Sequence, residues 1–298
     1  RFNLHIVTLI LMVENKNNLF SKNKYNKGNL KFAVIGHIEW INFLKVDSLP
    51  KPGIITHAKK SLELPAGGGA LIAKTLYELP NNEIHFFTSL GKDYYGEKSF
   101  EFFERIGMNL HVAWRSEATR KGFSLVDNNG ERSITIIGKR LAPSFNDDLD
   151  WNILCDMDGI FITAGDINLL KKARGANILC TTPRLGINLI NQSKVNLDAL
   201  IGSNLDPDES FLLSDLKKKP SFIIKTEGEK GGITIPGGRF KAINNNNNLE
   251  VDSYGCGDSF AAGILYGLTA SWTIEKALKL GTVLGRNCIE HFGPYPNM

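Results

Sequence analysis

The chain has 298 residues, of which 42% are hydrophobic and 22% are charged, and its formal net charge is +4. Its apolar runs stay well short of the roughly 18 residues that a membrane-spanning helix needs, and its basic residues are scattered along the sequence. These features favour a soluble protein with one substantial α/β domain, and they argue against a membrane or a nucleic acid as the main partner.

The first 29 residues differ in composition from the rest of the chain. A short apolar run, Leu4–Val13, is followed by an Asn- and Lys-rich stretch that continues through Lys27. A signal peptide needs a small-residue cleavage site, and none is evident after Val13. We therefore expect a disordered or misassigned leader over residues 1–29, with an export signal as the alternative.

The cysteines bear on the cellular compartment. Cys155, Cys180, Cys256 and Cys288 lie far apart and form no C-x-x-C pair. This spacing suggests neither a zinc site nor a disulfide framework, so reduced thiols and a cytoplasmic location are expected.

The first ordered element is predicted at Lys31–Gly36, an apolar run closed by glycine that is typical of a buried parallel strand. The segment His37-Ile38-Glu39-Trp40 follows directly. Because open α/β sheets bind ligands at the carboxyl ends of their strands, Glu39 is a candidate substrate contact. The alternative is a solvated loop carboxylate.

Three glycines, Gly67, Gly68 and Gly69, stand just before a segment with helical apolar spacing, Leu71–Leu79. Glycines at the start of a helix allow close approach of a ligand, although a packing turn without a ligand would have the same pattern. The segment is not a dinucleotide fingerprint, because Ile72 stands where the last glycine should be, and the chain has no Walker-type P-loop sequence.

Strands and helices then alternate along the chain. A strand at Glu83–Ser89 precedes a helix from about Glu97 to Ile106, which Gly107 caps. Further strands are predicted at Gly159–Thr163, Asn177–Thr181, Ala199–Gly202, Phe222–Thr226 and Ile233–Ile235. The predicted fold class is therefore α/β, with a doubly wound, mostly parallel sheet flanked by helices.

One hairpin interrupts this alternation. Asn128-Asn129-Gly130 is a strong turn signal between two segments of alternating apolar residues. We expect a small β-sheet lid with strands from about residues 37–64 and 120–138, within a single domain of residues 30–298.

The stretch Asp252–Gly263 has the most specific pattern in the chain, and a polar run, Asn244–Asn248, predicts a loop that leads to it. Gly255, Gly257 and Asp258 stand before a run of small and apolar residues, as in a tight loop that opens into a helix. The first N–H groups of a helix lack internal partners and can bind a phosphoryl group. Asp258 would then take a proton from an attacking hydroxyl. Alternatively, the glycines cap the helix and Asp258 complements its dipole.

These motifs, in this order, resemble the ribokinase-like or PfkB carbohydrate kinases, over roughly Lys31 to Pro294. The matching segments are Ala66–Ala70, Gly91-x-Asp93-x-x-Gly96, Gly130-Glu131-Arg132, Thr226-x-Gly228-x-x-Gly231 and Asp252–Asp258. The resemblance implies a doubly wound α/β domain, a small β lid over the sugar, and ATP across the carboxyl ends of the later strands.

The resemblance also implies roles for the residues of the Asp252–Asp258 loop. Asp258 matches the catalytic base, and Gly255, Cys256 and Gly257 match the backbone anion hole. Asp252 matches a residue near a monovalent-cation site in some members, which would hold K⁺.

Other positions match the family's nucleotide segments. Thr226, Gly228 and Gly231 match a segment that borders the nucleotide. Ser203 and Asp206 loosely represent the N-x-x-E motif, which helps to order Mg²⁺ and phosphate through water. Asp206 would serve there as a shortened Glu, and a surface turn is the alternative.

The sequence departs from the family pattern at two positions that are associated with the sugar in other members. Leu71 stands where many members carry a sugar-binding Asn, and Ile41 stands where ribokinases carry an Asp. The expected function is nonetheless ATP- and Mg²⁺-dependent phosphorylation of a hydroxyl, preferably a hydroxymethyl, on a sugar or sugar-like substrate. Glu39 and Gly67–Gly69 are its expected substrate contacts, and a homodimer through the lid is an expected assembly.

Two other functions stay open. A nucleoside kinase on the same scaffold would need an apolar slot for a base, which Trp40 could line if it is not in the core. A non-catalytic sugar- or nucleotide-sensing protein would fit the departures at Leu71 and Ile41.

Cys256 stands where the family usually has a small apolar residue. A thiol at a helix N-terminus should have a pKa below its free value of about 8.5 if the sulfur is exposed. The alternative is a buried, inert thiol.

Overall fold

The computed structural model describes residues 29–243 and 251–295. The predicted leader lies outside the described residues except for Asn29, and so does the loop predicted at Asn244–Asn248.

The described residues form thirteen strands and six α-helices. The strands are β1 (Leu30–Ile35), β2 (Glu39–Lys45), β3 (Lys60–Ala66), β4 (Asn82–Gly91), β5 (Asn109–Arg115), β6 (Lys121–Val126), β7 (Arg132–Ile137), β8 (Gly159–Ile162), β9 (Ile178–Thr181), β10 (Ala199–Ser203), β11 (Phe222–Thr226), β12 (Gly232–Ile235) and β13 (Gly238–Phe240). The α-helices are α1 (Gly68–Glu78), α2 (Tyr94–Arg105), α3 (Ile167–Ala173), α4 (Ile187–Ser193), α5 (Cys256–Thr269) and α6 (Ile274–Ile289).

Nine strands form the main sheet, in the order β13-β12-β11-β10-β9-β8-β1-β4-β5. All neighbours from β11 to β5 pair in parallel, and β12 and β13 add an antiparallel edge. Because the chain leaves β1 toward β4 and returns to its other side at β8, the carboxyl end of β1 lies at a switch point of the topology, where α/β sheets place ligands.

Helices cover both faces of this sheet, and β1 shows why. Its residues alternate, so Phe32 and Val34 enter one apolar cluster with α1, α5 and α6, whereas Ala33 and Ile35 enter a second with α3 and α4. A strand that is buried on both faces reads as a continuous apolar run, as the sequence of β1 does. The predicted doubly wound α/β fold is confirmed.

A separate four-stranded sheet has the order β3-β2-β6-β7. Strands β2 and β6 pair in parallel, and β3 and β7 flank them antiparallel. The hairpin predicted around Asn128-Asn129-Gly130 joins β6 to β7. That this sheet closes over a ligand stays a prediction.

The predicted strand bounds agree with the structure to within two residues. The helix predicted from Glu97 begins earlier, at Tyr94, because the side chain of Asp93 accepts a hydrogen bond from Gly96 N at 2.8 Å and so caps it. Of the described helices, none is long and apolar enough to cross a bilayer.

Candidate active site

The loop Asp252–Gly257 ends in the first turn of α5. Gly255 occupies the position before the helix with a φ of 85°, a left-handed conformation that favours glycine. A Cβ built on Gly257 would meet no protein atom within 4 Å, so the backbone there is open. The backbone of Gly257 is therefore open to a ligand, as an anion hole requires, whereas Cys256 N donates a hydrogen bond to Ser253 O at 3.4 Å.

Asp258 lies in the first turn of α5. Its surroundings raise the pKa of its carboxyl to about 7, mainly because burial disfavours the charged form and secondly because of the negative charge of Glu209. The positive charges of Arg184 and Arg132 act in the opposite direction. A carboxylate with a pKa near 7 is suited to general-base catalysis at neutral pH.

The three glycines at the start of α1 have different neighbours, and one of them borders this carboxylate. A Cβ on Gly68 would lie 3.0 Å from Asp258 Oδ1, and one on Gly67 would lie 3.1 Å from the ring of His37 and 3.2 Å from Glu39 Cγ. Gly69 differs, because its missing side chain makes room for the backbone of Gly36, 2.8 Å from the Cβ position. The start of α1 thus brings Asp258, His37 and Glu39 to one place, the acceptor side of the site.

Glu39 is not a solvated loop carboxylate. It begins β2, its exposed fraction is 8%, and its Oε1 accepts a hydrogen bond from Tyr254 Oη at 3.1 Å. Its Oε2 lies 3.3 Å from Arg120 Nε without the alignment of a hydrogen bond. Glu39 therefore links the four-stranded sheet to the Asp252–Gly257 loop, and its Oε2 accepts no hydrogen bond from the described residues.

His37 was not singled out as a candidate by the sequence. It is 93% buried, since only 7% of its surface is exposed, and its Nδ1 has no hydrogen-bond partner among the described residues. Burial lowers the pKa of the ring well below its usual value, and the charges of Arg140, Arg120 and Arg184 lower it further. Burial and these positive charges therefore favour the neutral form of His37.

The predicted nucleotide segment lines a cavity of about 280 Å³ beside the anion hole. Thr226, Gly228 and Gly231 form one side, and Cys256 and Gly257 form another. The apolar part of the lining includes two further side chains, Phe240 and Phe260, whose rings stack 5.7 Å apart. The cavity thus leads from an apolar wall to the open amide of Gly257, which suits a ligand with a flat ring and a phosphate chain.

The residues predicted to act on Mg²⁺ lie after β10. Asp206 caps the 3₁₀ turn Pro207–Glu209 and forms an ion pair with Arg184. Glu209 is buried, and it accepts hydrogen bonds from Arg184 Nε and Ser203 N, each at 2.6 Å. The negative charge of Glu209 also raises the pKa of Asp258. Glu209 is therefore a second candidate, beside Asp206, for the residue that acts on Mg²⁺. The spacing Asp206-x-x-Glu209, which equals that of N-x-x-E, was the signal for it.

Asp252 is almost fully buried, and both of its carboxylate oxygens bond to the backbone. Oδ1 accepts from Tyr254 N at 3.0 Å and Oδ2 from Gly293 N at 3.1 Å. The carboxylate therefore holds the glycine loop to the C-terminal segment. Its predicted role beside K⁺ stays a prediction.

Cys256 differs from the expectation for an exposed thiol at a helix start. The pKa of its thiol is raised well above the usual value, first by contact with the thiol of Cys288 and then by burial. The structure favours the alternative of an inert thiol. The predicted role of its backbone N–H in an anion hole does not depend on the thiol.

The two departures from the family pattern pack in the core. Leu71 is fully buried, with side-chain carbons about 3.0 Å from where a Cβ on Gly255 would lie, so it supports the glycine loop. Ile41 is also fully buried. Trp40, considered for a base slot, is 91% buried, since 9% of its surface is exposed, and its Nε1 donates to Glu63 at 3.2 Å.

Comparison with known proteins gives matches along most of the chain. Residues 186–298 match the family model described as pfkB family carbohydrate kinase. The chain is similar to a ribokinase from Lactococcus lactis subsp. lactis (strain IL1403), with 24% identity over 285 residues that cover 90% of this chain and 93% of the relative. It is also similar to a guanosine-inosine kinase from Exiguobacterium acetylicum, with 25% identity over 245 residues that cover 72% of this chain and 80% of the relative.

A solved structure has the same fold. The ribokinase of Arabidopsis thaliana complexed with ribose and ATP matches with a TM-score of 0.69 at 20% sequence identity, over 91% of this chain and 96% of that chain. The resemblance that the sequence motifs indicate is thereby confirmed. The match to the pfkB carbohydrate kinases lies in residues 186–298, and the similarity to ribokinases extends over most of the chain, so the chain resembles a sugar kinase of the ribokinase-like type.

Proposed function

We propose that the protein phosphorylates a hydroxyl, preferably a hydroxymethyl, of a sugar or sugar-like substrate with ATP as the donor. The observation that carries this proposal is the position of Asp258, between the open backbone of Gly257 and the start of α1 at Gly68. Asp258, as the base, would then lie between the anion site at Gly257 and the acceptor site at the start of α1. Phosphoryl transfer needs this kind of positioning and charge stabilisation more than it needs covalent chemistry.

In the proposed reaction, Asp258 accepts the proton of the acceptor hydroxyl. The amides of Gly255, Cys256 and Gly257 donate hydrogen bonds to the phosphoryl oxygens, and Glu39 orients the acceptor through Oε2, which accepts no hydrogen bond from the described residues. A positioned base of this kind contributes roughly 10²–10⁴ in rate.

The nucleotide side fits ATP and Mg²⁺ in its chemistry. The cavity beside Thr226, Gly228 and Gly231 has an apolar wall for a flat ring and an amide end for phosphate. Among the described residues, no cluster of three or more His, Cys, Asp or Glu side chains could hold a metal. We therefore propose that Asp206 and Glu209 act on Mg²⁺ through water. When bound, ATP supplies the γ-phosphoryl group and Mg²⁺ offsets its charge.

A nucleoside is the second candidate acceptor, because one relative is named a guanosine-inosine kinase. Trp40 was the aromatic side chain considered for a base slot. Because it is buried and its Nε1 donates a hydrogen bond to Glu63, it does not favour this candidate. Competition between adenosine and ribose or fructose for phosphorylation separates the two candidates. A K⁺ ion near Asp252, a homodimer through the four-stranded sheet and a cytoplasmic location stay predictions.

The experiment that tests the proposed function is the Asp258→Asn variant. We expect unchanged ATP binding and folding, with turnover lowered by at least about a hundredfold, because the variant loses the base and keeps the amides. Asp148→Asn is the control, since Asp148 is exposed and has no hydrogen bond in the described structure. Near-normal turnover in Asp258→Asn would overturn the role of Asp258. Absence of ATP-dependent phosphorylation by the wild type on any sugar or nucleoside would overturn the function, as the non-catalytic hypothesis predicts.

A further inference from the structure

The acceptor side of the site carries an excess of positive charge. Arg120 comes directly before β6 and Arg140 comes three residues after β7, and these strands pair antiparallel with Lys121 opposite Ile137. The two arginines therefore lie at the same end of the four-stranded sheet. Glu39 begins β2 at that end, since Trp40 N donates to Arg120 O at 2.9 Å.

These arginines are not fully paired by the protein. Arg120 has Glu39 as its only ion-pair partner among the described residues, at 3.3 Å. Arg140 forms no ion pair within the described part of the chain, and its Nε is buried without a hydrogen-bond partner. Burial lowers the pKa of Arg140, and the charge of Arg120 lowers it further. Among the described residues, Glu39 is thus the one carboxylate that pairs with Arg120 and acts on the charge of Arg140.

The third arginine on this side is neutralised. Arg184 forms ion pairs with both Asp206 and Glu209. Arg184 therefore adds little to the excess of positive charge, which comes from Arg120 and Arg140. Next to them, Nδ1 of His37, which has no hydrogen-bond partner among the described residues, adds a polar group that can bond to a ligand.

A buried cation without a partner is costly, so a protein keeps one where a ligand supplies the missing charge. Guanidinium groups match carboxylate and phosphate oxygens, which they bind in pairs of short hydrogen bonds. A neutral sugar or nucleoside would leave Arg140 uncompensated. We propose that the acceptor is anionic, a sugar that carries a phosphate or a carboxylate, and that Arg120 and Arg140 bind this group while the hydroxyl lies at Asp258.

This inference rests on the proposed function, and its test uses matched acceptors. The wild type is assayed with ATP and a panel of sugar monophosphates and sugar acids, each beside its uncharged parent, with D-fructose 6-phosphate against D-fructose and D-gluconate against D-glucose as the first pairs. We expect kcat/KM for the charged member of at least one class to exceed that of its parent at least about tenfold, as a charge-assisted contact would give. The class that is preferred identifies the group as phosphate or carboxylate.

The variants Arg140→Gln and Arg140→Lys then locate the contact, with Arg105→Gln as control, because Arg105 is exposed at the end of α2. In Arg140→Gln the preference for the charged acceptor over its uncharged parent should fall at least about tenfold, because the KM for the charged acceptor rises while the KM for ATP stays unchanged. Arg140→Lys should keep part of this preference, because lysine keeps the charge. The Tm of Arg140→Gln without ligand should not fall, because the variant removes a partly buried charge that has no ion pair in the described part of the chain. A lower Tm with unchanged preference would indicate a structural role and overturn the proposal.

Other outcomes distinguish a failure of the anionic-acceptor inference from a failure of the proposed kinase function. Phosphorylation of neutral sugars or nucleosides as well as, or better than, every charged probe would overturn the anionic acceptor and leave the kinase function standing. A higher ATP KM in Arg140→Gln would assign the arginine to the nucleotide and also overturn the inference. If charged probes raise the Tm of the wild type but ATP transfers phosphate to none of the acceptors, the binding inference stands and the proposed function fails.

Discussion

Asp258 and Gly68 approach each other so closely that a Cβ on Gly68 would lie 3.0 Å from Asp258 Oδ1. This contact joins two helix N-termini that are far apart in the sequence, those of α1 and α5. It explains why glycine stands at the start of α1, since any side chain there would press on the carboxylate that we propose as the base.

The first prediction is that Gly68→Ala lowers kcat at least about tenfold while the protein stays folded, because the methyl group displaces Asp258 by a few tenths of an ångström and positioning is decisive in such transfer. Steady-state kinetics and a thermal melt measure the two effects. Gly175→Ala is the control, since its Cβ would meet Lys172 O at a similar distance, 3.3 Å, and Gly175 lies just before the amino end of β9, away from the carboxyl ends of the strands. Full activity in Gly68→Ala would show that this contact has no part in catalysis.

The second prediction concerns pH. Asp258 acts as a base only when it is ionised, and its pKa is raised to about 7, so kcat/KM should fall as the pH drops through that value. Glu209 contributes to the raised pKa through its negative charge, so Glu209→Gln should move this acidic midpoint to lower pH.

The control for the pH experiment is Asp208→Asn, because Asp208 is exposed beside Glu209 and does not act on the pKa of Asp258. Its profile should match that of the wild type. A midpoint that stays in place or moves upward in Glu209→Gln would contradict the proposed coupling between the two carboxylates.

The main sheet could be predicted because its strands are short apolar runs between turn residues, and burial on both faces makes such runs conspicuous. The start of α2 was missed because the capping role of Asp93 depends on where its side chain points. That side chain also accepts a hydrogen bond from Thr119 N at 2.7 Å, a long-range contact that no local pattern shows.

The glycine motifs of the candidate site were found because each is local. Arg120, Arg140 and Arg184 were not, since they belong to three separate segments and only the strand pairing and the connection after β9 bring them toward Glu39 and Asp258. Leu71 was interpreted as a lost sugar contact, yet its side chain packs beneath Gly255. Its orientation depends on how α1 lies against α5, which the sequence does not show.

The third prediction tests the anion hole at Gly257. A Cβ there meets no protein atom within 4 Å, so Gly257→Ala should leave the Tm of the free protein unchanged or slightly higher. A phosphoryl group held by these amides would be displaced by the methyl group, and we expect kcat/KM for ATP to fall at least about tenfold. Unchanged kinetics with ATP would place the phosphate elsewhere.

The last prediction concerns Cys256. Its thiol contacts that of Cys288 and its pKa is raised, so little thiolate forms at neutral pH and iodoacetamide should modify it slowly. Cys155 is the internal comparison, because it is exposed. Peptide mapping over time should show Cys155 labelled at least about ten times faster than Cys256, with activity retained while only Cys155 is modified. Cys155→Ser should then lose the fast label and keep its activity. Rapid labelling of Cys256, slowed by Mg·ATP and accompanied by inactivation, would instead support the reactive thiol that its place at a helix N-terminus first suggested.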